Sequence, residues 1–225
     1  MATPGSTERT TLKRIAHKAS FSQQELYRIL DSNLVAHVGI IFDDAPLVIP
    51  MTYGRVGNTL YLHGSSGSRL MRALAQNPKV CISITKLNAL KVARSTFNSG
   101  MNYDAAVIFG EAKLVEDDKK AWALDAISDA ILPGRMDEVR PSTKKEAAAT
   151  LIIEVELDET SVKISNGFVE DEPEDLGTGV WAGLVPIRTV VGEPSPADDE
   201  TAALELPQSV KRFISDYPDN RSRNP

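Results

Sequence analysis

The sequence has little from which to build a covalent or metal-held scaffold: one cysteine and three histidines in 225 residues. A lone cysteine closes no intramolecular disulfide. Cys81 sits in the alternating run KVCISIT, which reads as a strand carrying a small buried hydrophobe rather than a reactive thiol. A reducing compartment suits such a chain, and the expected location is cytoplasmic. His17, His37 and His63 lie far apart with no metal-ligand spacing, so no metal site is expected. Long apolar runs are missing too. The longest, residues 34–42, is interrupted by His37 and falls well short of the roughly 20 residues that cross a bilayer as a helix. The polar start, MATPGSTERTTLKRIAHK, has no apolar stretch of the secretory kind, so a soluble protein is expected.

Basic residues are outnumbered. With 25 Lys and Arg against 31 Asp and Glu, a net charge of −6 and a pI near 5.2, a broad nucleic-acid or anionic-membrane surface is excluded by long-range repulsion. Any anionic ligand must be held locally. There is no Gly-Lys-Ser/Thr P-loop, no GxGxxG, no nucleophile elbow, no paired-carboxylate spacing and no internal repeat.

What is present reads as one domain, residues 20–191, between two tails. Residues 1–19 read as a flexible tail with a basic cluster of Lys13, Arg14, His17 and Lys18; residues 192–225 read as a flexible acidic, Pro-rich tail with one short helix at 208–216. Ser22 and Glu25 fit a capping box ahead of a helix whose apolar face carries Leu26, Ile29 and Leu30. Strands are predicted at 34–42, 47–53, 59–63, 80–85, 90–95, 105–115, 151–156 and 161–165, with helices starting near Ser68 and near Asp117 and a short one after residue 142. The helix from Ser68 is expected to stop before Asn77 and Pro78. Residues 170–175, EDEPED, read as a solvated loop, and His37 as a core histidine with its hydrogen bonds satisfied. Strands in hairpin order with few helices predict an antiparallel barrel with peripheral helices, mainly β, rather than a parallel sheet.

The most informative stretch is LYLHGSSGSRLMRAL, residues 60–74. It passes from an alternating strand to an amphipathic helix through a Gly/Ser loop ending in Arg69. Such a junction turns backbone N–H groups toward one point at the positive end of a helix, beside the hydroxyls of Ser65, Ser66 and Ser68 and a guanidinium that can grip two phosphate oxygens. The spacing fits a phosphate-monoester pocket or an ordinary strand–helix turn. His63 abuts this loop, which makes it a candidate ligand contact and the candidate proton carrier, against a purely structural strand-end histidine.

The blocks HKASFSQQELYRIL, LVAHVGI, LVIPMTYGRVGNTLYLHGSSGSR, ARSTFNSGMNYDAAVIFGEAKLVED, ILPGR and VWAGLVPIR, in that order over about residues 14–194, resemble the pyridoxamine 5′-phosphate oxidase-like flavoproteins. The likeness is to their flavin-nucleotide-binding, 5-nitroimidazole-resistance-like branch. It implies an FMN-binding split β-barrel, a homodimer with cofactor at its interface, and flavin chemistry on a small planar substrate, with a nicotinamide donor or oxygen as the other party. Haem on the same fold, or flavin storage without catalysis, is the alternative it leaves open. Carried onto matching positions, the resemblance implies that Pro50, Met51, Thr52 and Tyr53 border the isoalloxazine, and that His63, Ser65, Ser66, Ser68 and Arg69 surround the phosphate. Asn102 and Tyr103 would reach the cofactor, across the dimer, with a polar turn as the other reading, and Trp181 would lie near the flavin edge, with core packing as the other reading. The vitamin B6 oxidases of the family follow their Ser-Arg with a Lys that touches phosphate. This chain has Leu70 there, and Arg94 or the basic cluster at 13–18 could supply the charge. Their C-terminal Arg-Leu-x-Pro signature is absent from DYPDNRSRNP, so vitamin B6 oxidation is not expected.

Overall fold

The computed structural model describes residues 3–76 and 79–217. In chain order the elements are β1 (Ala19–Ser20), α1 (Gln23–Asp31), β2 (Val35–Phe42), β3 (Ala45–Val56), β4 (Thr59–Ser65), α2 (Arg69–Gln76), β5 (Lys79–Val92), β6 (Gly100–Glu111), β7 (Lys113–Leu114), α3 (Lys120–Ile131), α4 (Lys144–Ala148), β8 (Thr150–Glu156), β9 (Glu159–Ile164), β10 (Gly183–Pro186), α5 (Asp199–Ala202) and α6 (Gln208–Asp216). Among the described residues the strands form one ten-stranded sheet in the order β1-β9-β6-β5-β2-β3-β4-β8-β7, with β10 beside β5. Every pairing is antiparallel and the sheet does not close. The fold is the mainly β, helix-flanked architecture that the strand order of the sequence predicts.

Local chemistry sets the hairpins. Asp43 and Asp44 both take positive φ, 49° and 58°, which is the twist a two-residue hairpin turn needs, and Asp tolerates it better than most side chains. Ser22 caps α1, its hydroxyl accepting from the Glu25 amide at 3.3 Å, while the Glu25 carboxylate turns to Arg28 at 2.7 Å instead of completing a capping box. One face of the sheet and of α1 and α2 encloses the main core, built on Leu26, Ile29, Leu60, Leu62, Met71, Ile82 and Ile108, all fully buried. A second, smaller core of Tyr61, Val115, Ala123, Ile127 and Ile152 lies on the other face, under α3. Gly54 makes that seat possible: a Cβ there would come within 2.8 Å of the Ile127 backbone.

Several expectations change. The two strands predicted at 80–85 and 90–95 are one long strand, β5, whose register shifts between Leu87 and Ala89. Asn88 marks the shift and donates to Asp104 at 3.0 Å, so its polarity records a bulge and not a break. His37 and Cys81 are exposed. Both occupy alternate positions on strands whose other positions, Val38 and Ile82, fill the core, so the apolar runs around them have one open face. Residues 3–20 are held by the domain. The Gly5 amide donates to Thr160 O at 2.7 Å, Thr7 Oγ1 and Arg9 Nε bond Glu159 at 2.9 and 3.0 Å, and β1 pairs with β9. In the C-terminal segment α6 spans the residues predicted for it; Glu138 caps it, accepting from the Ser209 amide at 3.0 Å.

Candidate functional site

The outer face of β2, β3 and β4, beyond the end of α3, is open. Register places Val35 opposite Thr52, His37 opposite Pro50 and Gly39 opposite Val48. Thr52 precedes Tyr53 and His63 follows Leu62 on antiparallel strands, so alternation puts both on this outer face. Val35, Ile41 and Val48 are 47%, 59% and 60% exposed, high values for aliphatic side chains side by side on a sheet.

His63 closes the face at β4. Its neighbour on that side of the strand, Tyr61, meets Trp122 edge-on with ring centroids 5.8 Å apart. The His63 Nδ1 atom is buried and has no hydrogen-bond partner among the described residues. Burial pushes the imidazole pKa below its ordinary value, which favours the neutral ring. A buried polar atom without a partner costs roughly 1–3 kcal/mol, which makes it a mark of a binding position.

The Gly/Ser loop leads from Ser65 at the end of β4 into α2. Much of its hydrogen-bonding capacity is spent on itself. Ser66 N–H donates to Ala149 O at 2.9 Å, Ser68 N–H to Ser65 O at 2.8 Å and Gly67 N–H to Ser65 Oγ at 3.2 Å, while Ser68 Oγ accepts from Met71 N–H at 3.4 Å and so caps α2. The sequence-based picture of several free amides is thereby narrowed to the amides of Arg69 and Leu70, which have no partner among the described residues. The Arg69 side chain is exposed and forms no ion pair among the described residues; its guanidinium lies 5.4 Å from the Phe42 ring centroid. Gly64 gives the helix its close seat, since a Cβ there would meet Met71 Cγ at 2.8 Å.

Pro50 and Thr52 are exposed on the outer face, whereas Met51 packs against the core and Tyr53 is buried, its hydroxyl donating to Leu30 O at 2.6 Å. Burial raises the Tyr53 pKa, which keeps the phenol protonated. The backbone of β3 between them borders the face.

The remaining candidates form a second group at the far end of β5 and β6. Arg94 pairs with Asp171 through both its guanidinium and its amide, the latter at 2.8 Å, and Asp171 is held below its ordinary pKa by that amide and the guanidinium. Asp171 thus takes residues 170–175 out of the purely solvated class. Asn102 is buried, donating to Gly167 O at 2.8 Å and accepting from Ser165 Oγ at 3.0 Å. The Tyr103 hydroxyl accepts from Lys163, whose ammonium also lies 4.0 Å from the ring centroid. Trp181 is 63% exposed and lies over Gly183. Leu87, opposite Tyr103, sits four residues along β5 from Ser83, the partner of His37, and is 48% exposed. In one chain the two groups stand apart.

Arg72 is the residue that sequence reasoning passed over. It is exposed one helical turn beyond Arg69 on α2, and the two arginines line one open cavity with Phe42 and Asp43; the i, i+3 spacing of two arginines was the available signal.

A family model described as pyridoxamine 5′-phosphate oxidase matches residues 22–164. Among solved structures, the FAD and haem binding protein of Mycobacterium smegmatis is 41% identical, covering 88% of this chain and 97% of that one with a TM-score of 0.85. The flavocytochrome Anf3 of Azotobacter vinelandii is 32% identical, covering 95% and 99% with a TM-score of 0.87. A Bacteroides thetaiotaomicron protein named for 5-nitroimidazole antibiotic resistance shares the fold, at 22% identity over 65% of this chain and 86% of that one, with a TM-score of 0.55. No protein of curated function matches the sequence.

Proposed function

Because the chain belongs to the pyridoxamine 5′-phosphate oxidase-like split-barrel family, we propose that it is a flavoprotein whose flavin lies along β3 on the open outer face, its ribityl phosphate at the loop before α2. The observation that carries this is the juxtaposition of an unpartnered neutral His63, the two free amides of Arg69 and Leu70, and the unpaired Arg69 guanidinium, all at the end of β4. These groups fit an FMN moiety: the amides and guanidinium offer charge-assisted hydrogen bonds to phosphate, and Pro50 and Thr52 offer a flat strand edge for a ring.

When bound, the flavin supplies electron or hydride transfer, and the reading is an oxidoreductase acting between a nicotinamide donor or oxygen and a small planar substrate in the cytoplasm. The protein's own part is to orient the ring, exclude water and hold a neutral imidazole beside it. A second copy of the chain is the proposed cover of the outer face. Val35, Ile41, Val48 and Leu87 would be buried there, and a two-fold partner would bring its half-buried Tyr103 and exposed Trp181 toward the flavin, while buried Asn102 and ion-paired Arg94 hold that corner of the partner in place. No nucleic-acid or membrane partner is proposed, and no helix among the described residues is long and apolar enough to cross a membrane. The C-terminal residues 218–225, where the B6 signature is missing, lie outside the described residues.

The test is the visible spectrum of the purified protein with anaerobic reduction by a nicotinamide nucleotide, run beside sedimentation. Colourless protein that takes up no added flavin overturns the reading; bound flavin that no donor reduces leaves a flavin store, and a monomer removes the dimer.

His63 favours a second reading, in which a haem is also held. A neutral imidazole nitrogen is an iron ligand, and two relatives are named for haem or as a flavocytochrome. A haem absorption band that disappears in His63→Ala while flavin stays bound is the expected outcome; a band that persists assigns the iron elsewhere.

A further inference from the structure

We propose that the cavity where the C-terminal ends of three helices meet binds a small organic cation, an amine or quaternary ammonium carried on a single ring. The helices are α1, α3 and α6, which end at Asp31, Ile131 and Asp216. All three residues line one cavity of about 160 Å3, with Leu34, Pro133, Phe213 and Tyr217 as its apolar wall. A dry cavity of about 150 Å3 takes one benzene ring, so the space suits a ligand of that size. A second cavity of about 240 Å3 shares Asp31, Leu34, Ala130 and Pro133 with it and reaches Asp129 and Arg55. None of the residues lining the first cavity belongs to the groups assigned to the flavin, so a cation can be held there with or without flavin.

The backbone sets the sign of the charge. A helix carries partial negative charge at its C-terminus, concentrated on carbonyls that no later amide reaches. At the end of α1 those carbonyls are spent: Arg28 O takes the Ser32 amide at 3.1 Å, Ile29 O the Asn33 side-chain amide at 2.7 Å and Leu30 O the Tyr53 hydroxyl at 2.6 Å. At the end of α3 they are not. Pro133 has no N–H to offer Asp129 O, the Gly134 amide donates to Asp129 Oδ1 at 2.8 Å, and the Arg135 amide donates to Leu132 O at 3.1 Å. The carbonyls of Asp129, Ala130 and Ile131 therefore receive no amide from the chain that follows, and Ala130 and Ile131 line the cavity.

The side chains agree. Asp31, Asp129 and Asp216 line the two cavities together with Arg55 and Arg212, three carboxylates to two guanidiniums. Arg55 is committed to Asp31 through hydrogen bonds at 2.7 and 2.6 Å, which leaves two carboxylates to one guanidinium in the rest of the lining. These acids do not form a metal-ligand set, since no group of three metal-ligating side chains occurs among the described residues. The aromatic wall points to an organic ion instead. Phe213 and Tyr217 stand edge to face, with ring centroids 5.5 Å apart and planes inclined at 61°. Such rings receive the apolar body of an organic cation and attract its charge, whereas a neutral ring would gain burial alone and an anion would be repelled by the helix ends.

The test uses three probes that share one ring and differ in charge: benzylammonium, benzyl alcohol and benzoate, each titrated into the purified full chain by calorimetry near neutral pH. Benzylammonium is expected to bind at least about tenfold more tightly than benzyl alcohol, and benzoate more weakly than either. Asp129→Asn keeps an acceptor for the Gly134 amide and removes the charge, so it should weaken benzylammonium by about threefold or more and leave benzyl alcohol within about twofold. Arg212→Gln removes the competing guanidinium and should strengthen benzylammonium by about the same factor. Asp129 and Arg212 are exposed, so both variants are expected to keep the parent's circular dichroism. Equal affinity for the three probes, tighter binding of benzoate, or no binding at all overturns the assignment. So does an Asp129→Asn change that leaves benzylammonium unaffected, or an Arg212→Gln change that fails to strengthen it. None of these outcomes touches the flavin reading, which its own spectrum decides.

Discussion

The two groups of candidate residues differ in one respect above all: at the end of β5 and β6 Arg94, Asn102 and Tyr103 each have a partner, whereas at the end of β4 the serines bond within their own loop and His63 Nδ1, the Arg69 and Leu70 amides and the Arg69 guanidinium have none among the described residues. Asn102 serves both Ser165 and Gly167, Arg94 is clamped by Asp171, and Tyr103 is bridged by Lys163. Across the sheet, His63 Nδ1 is orphaned, two amides at the start of α2 are open, and Arg69 and Arg72 face a cavity. Satisfied polar clusters fix a fold, while unsatisfied ones cost stability and are kept for something that binds. Residue type alone did not separate the two, because each holds an arginine, a tyrosine and nearby hydroxyls.

The largest effect on folding should fall on the satisfied group. Asn102→Ala strands the buried Ser165 hydroxyl and removes the donor to the exposed Gly167 carbonyl, so unfolding in denaturant should show a loss of about 1–3 kcal/mol. Flavin affinity of the folded fraction should stay within about twofold. A stable Asn102→Ala that binds flavin poorly would break the contrast. Arg69→Ala should do the reverse, with the melting midpoint unchanged within about a degree and flavin affinity reduced by about 1.5–3 kcal/mol, tenfold or more. Weakened folding with intact flavin binding would return the loop to an ordinary strand–helix turn.

Much of the frame was legible from local pattern. Alternation located β2, β3 and β4, and α6 spans the residues predicted for it. The misread features depend on contacts distant in sequence. Whether His37 and Cys81 point into the core or out of it follows from which face of the sheet α1 and α2 cover, and a run such as LVAHVGI does not carry that information. Residues 3–20 look like a tail because they are polar, yet polar contacts with Glu159 and Thr160 are what hold them. At the candidate site the loop was visible as a motif, but the self-bonding of Ser65 and Ser68 and the pairing of Arg94 emerge only from the fold.

A smaller and opposite-signed effect is expected at His63. Removing a buried atom that has no partner relieves a desolvation cost, so His63→Leu should raise the unfolding free energy of the cofactor-free protein by up to about 1 kcal/mol, while weakening whatever ligand that nitrogen meets. A destabilised His63→Leu would mean that the imidazole is a packed structural element after all, and the two regions would then differ less than their hydrogen bonds suggest.

The last difference is in pH, and it is the smallest. Burial lowers the His63 pKa, so the unfolded chain takes up a proton more readily than the folded one. Stability from this source is complete above the unfolded value of about 6.5 and declines as pH falls from there toward the folded value. The Asp171 carboxyl is also lowered, but as an acid. Its contribution is complete above the unfolded value of about 3.9 and is lost only as pH falls further, through its folded value. Thermal midpoints of the cofactor-free protein should therefore begin to drop below pH 6.5 in the parent and stay flatter in His63→Leu, and Asp171→Asn should alter the curve only in the acid limb. If His63→Leu shows the parent's slope between pH 6.5 and 5, the imidazole is not the group that titrates there, and its neutrality cannot serve to distinguish the open region from the closed one.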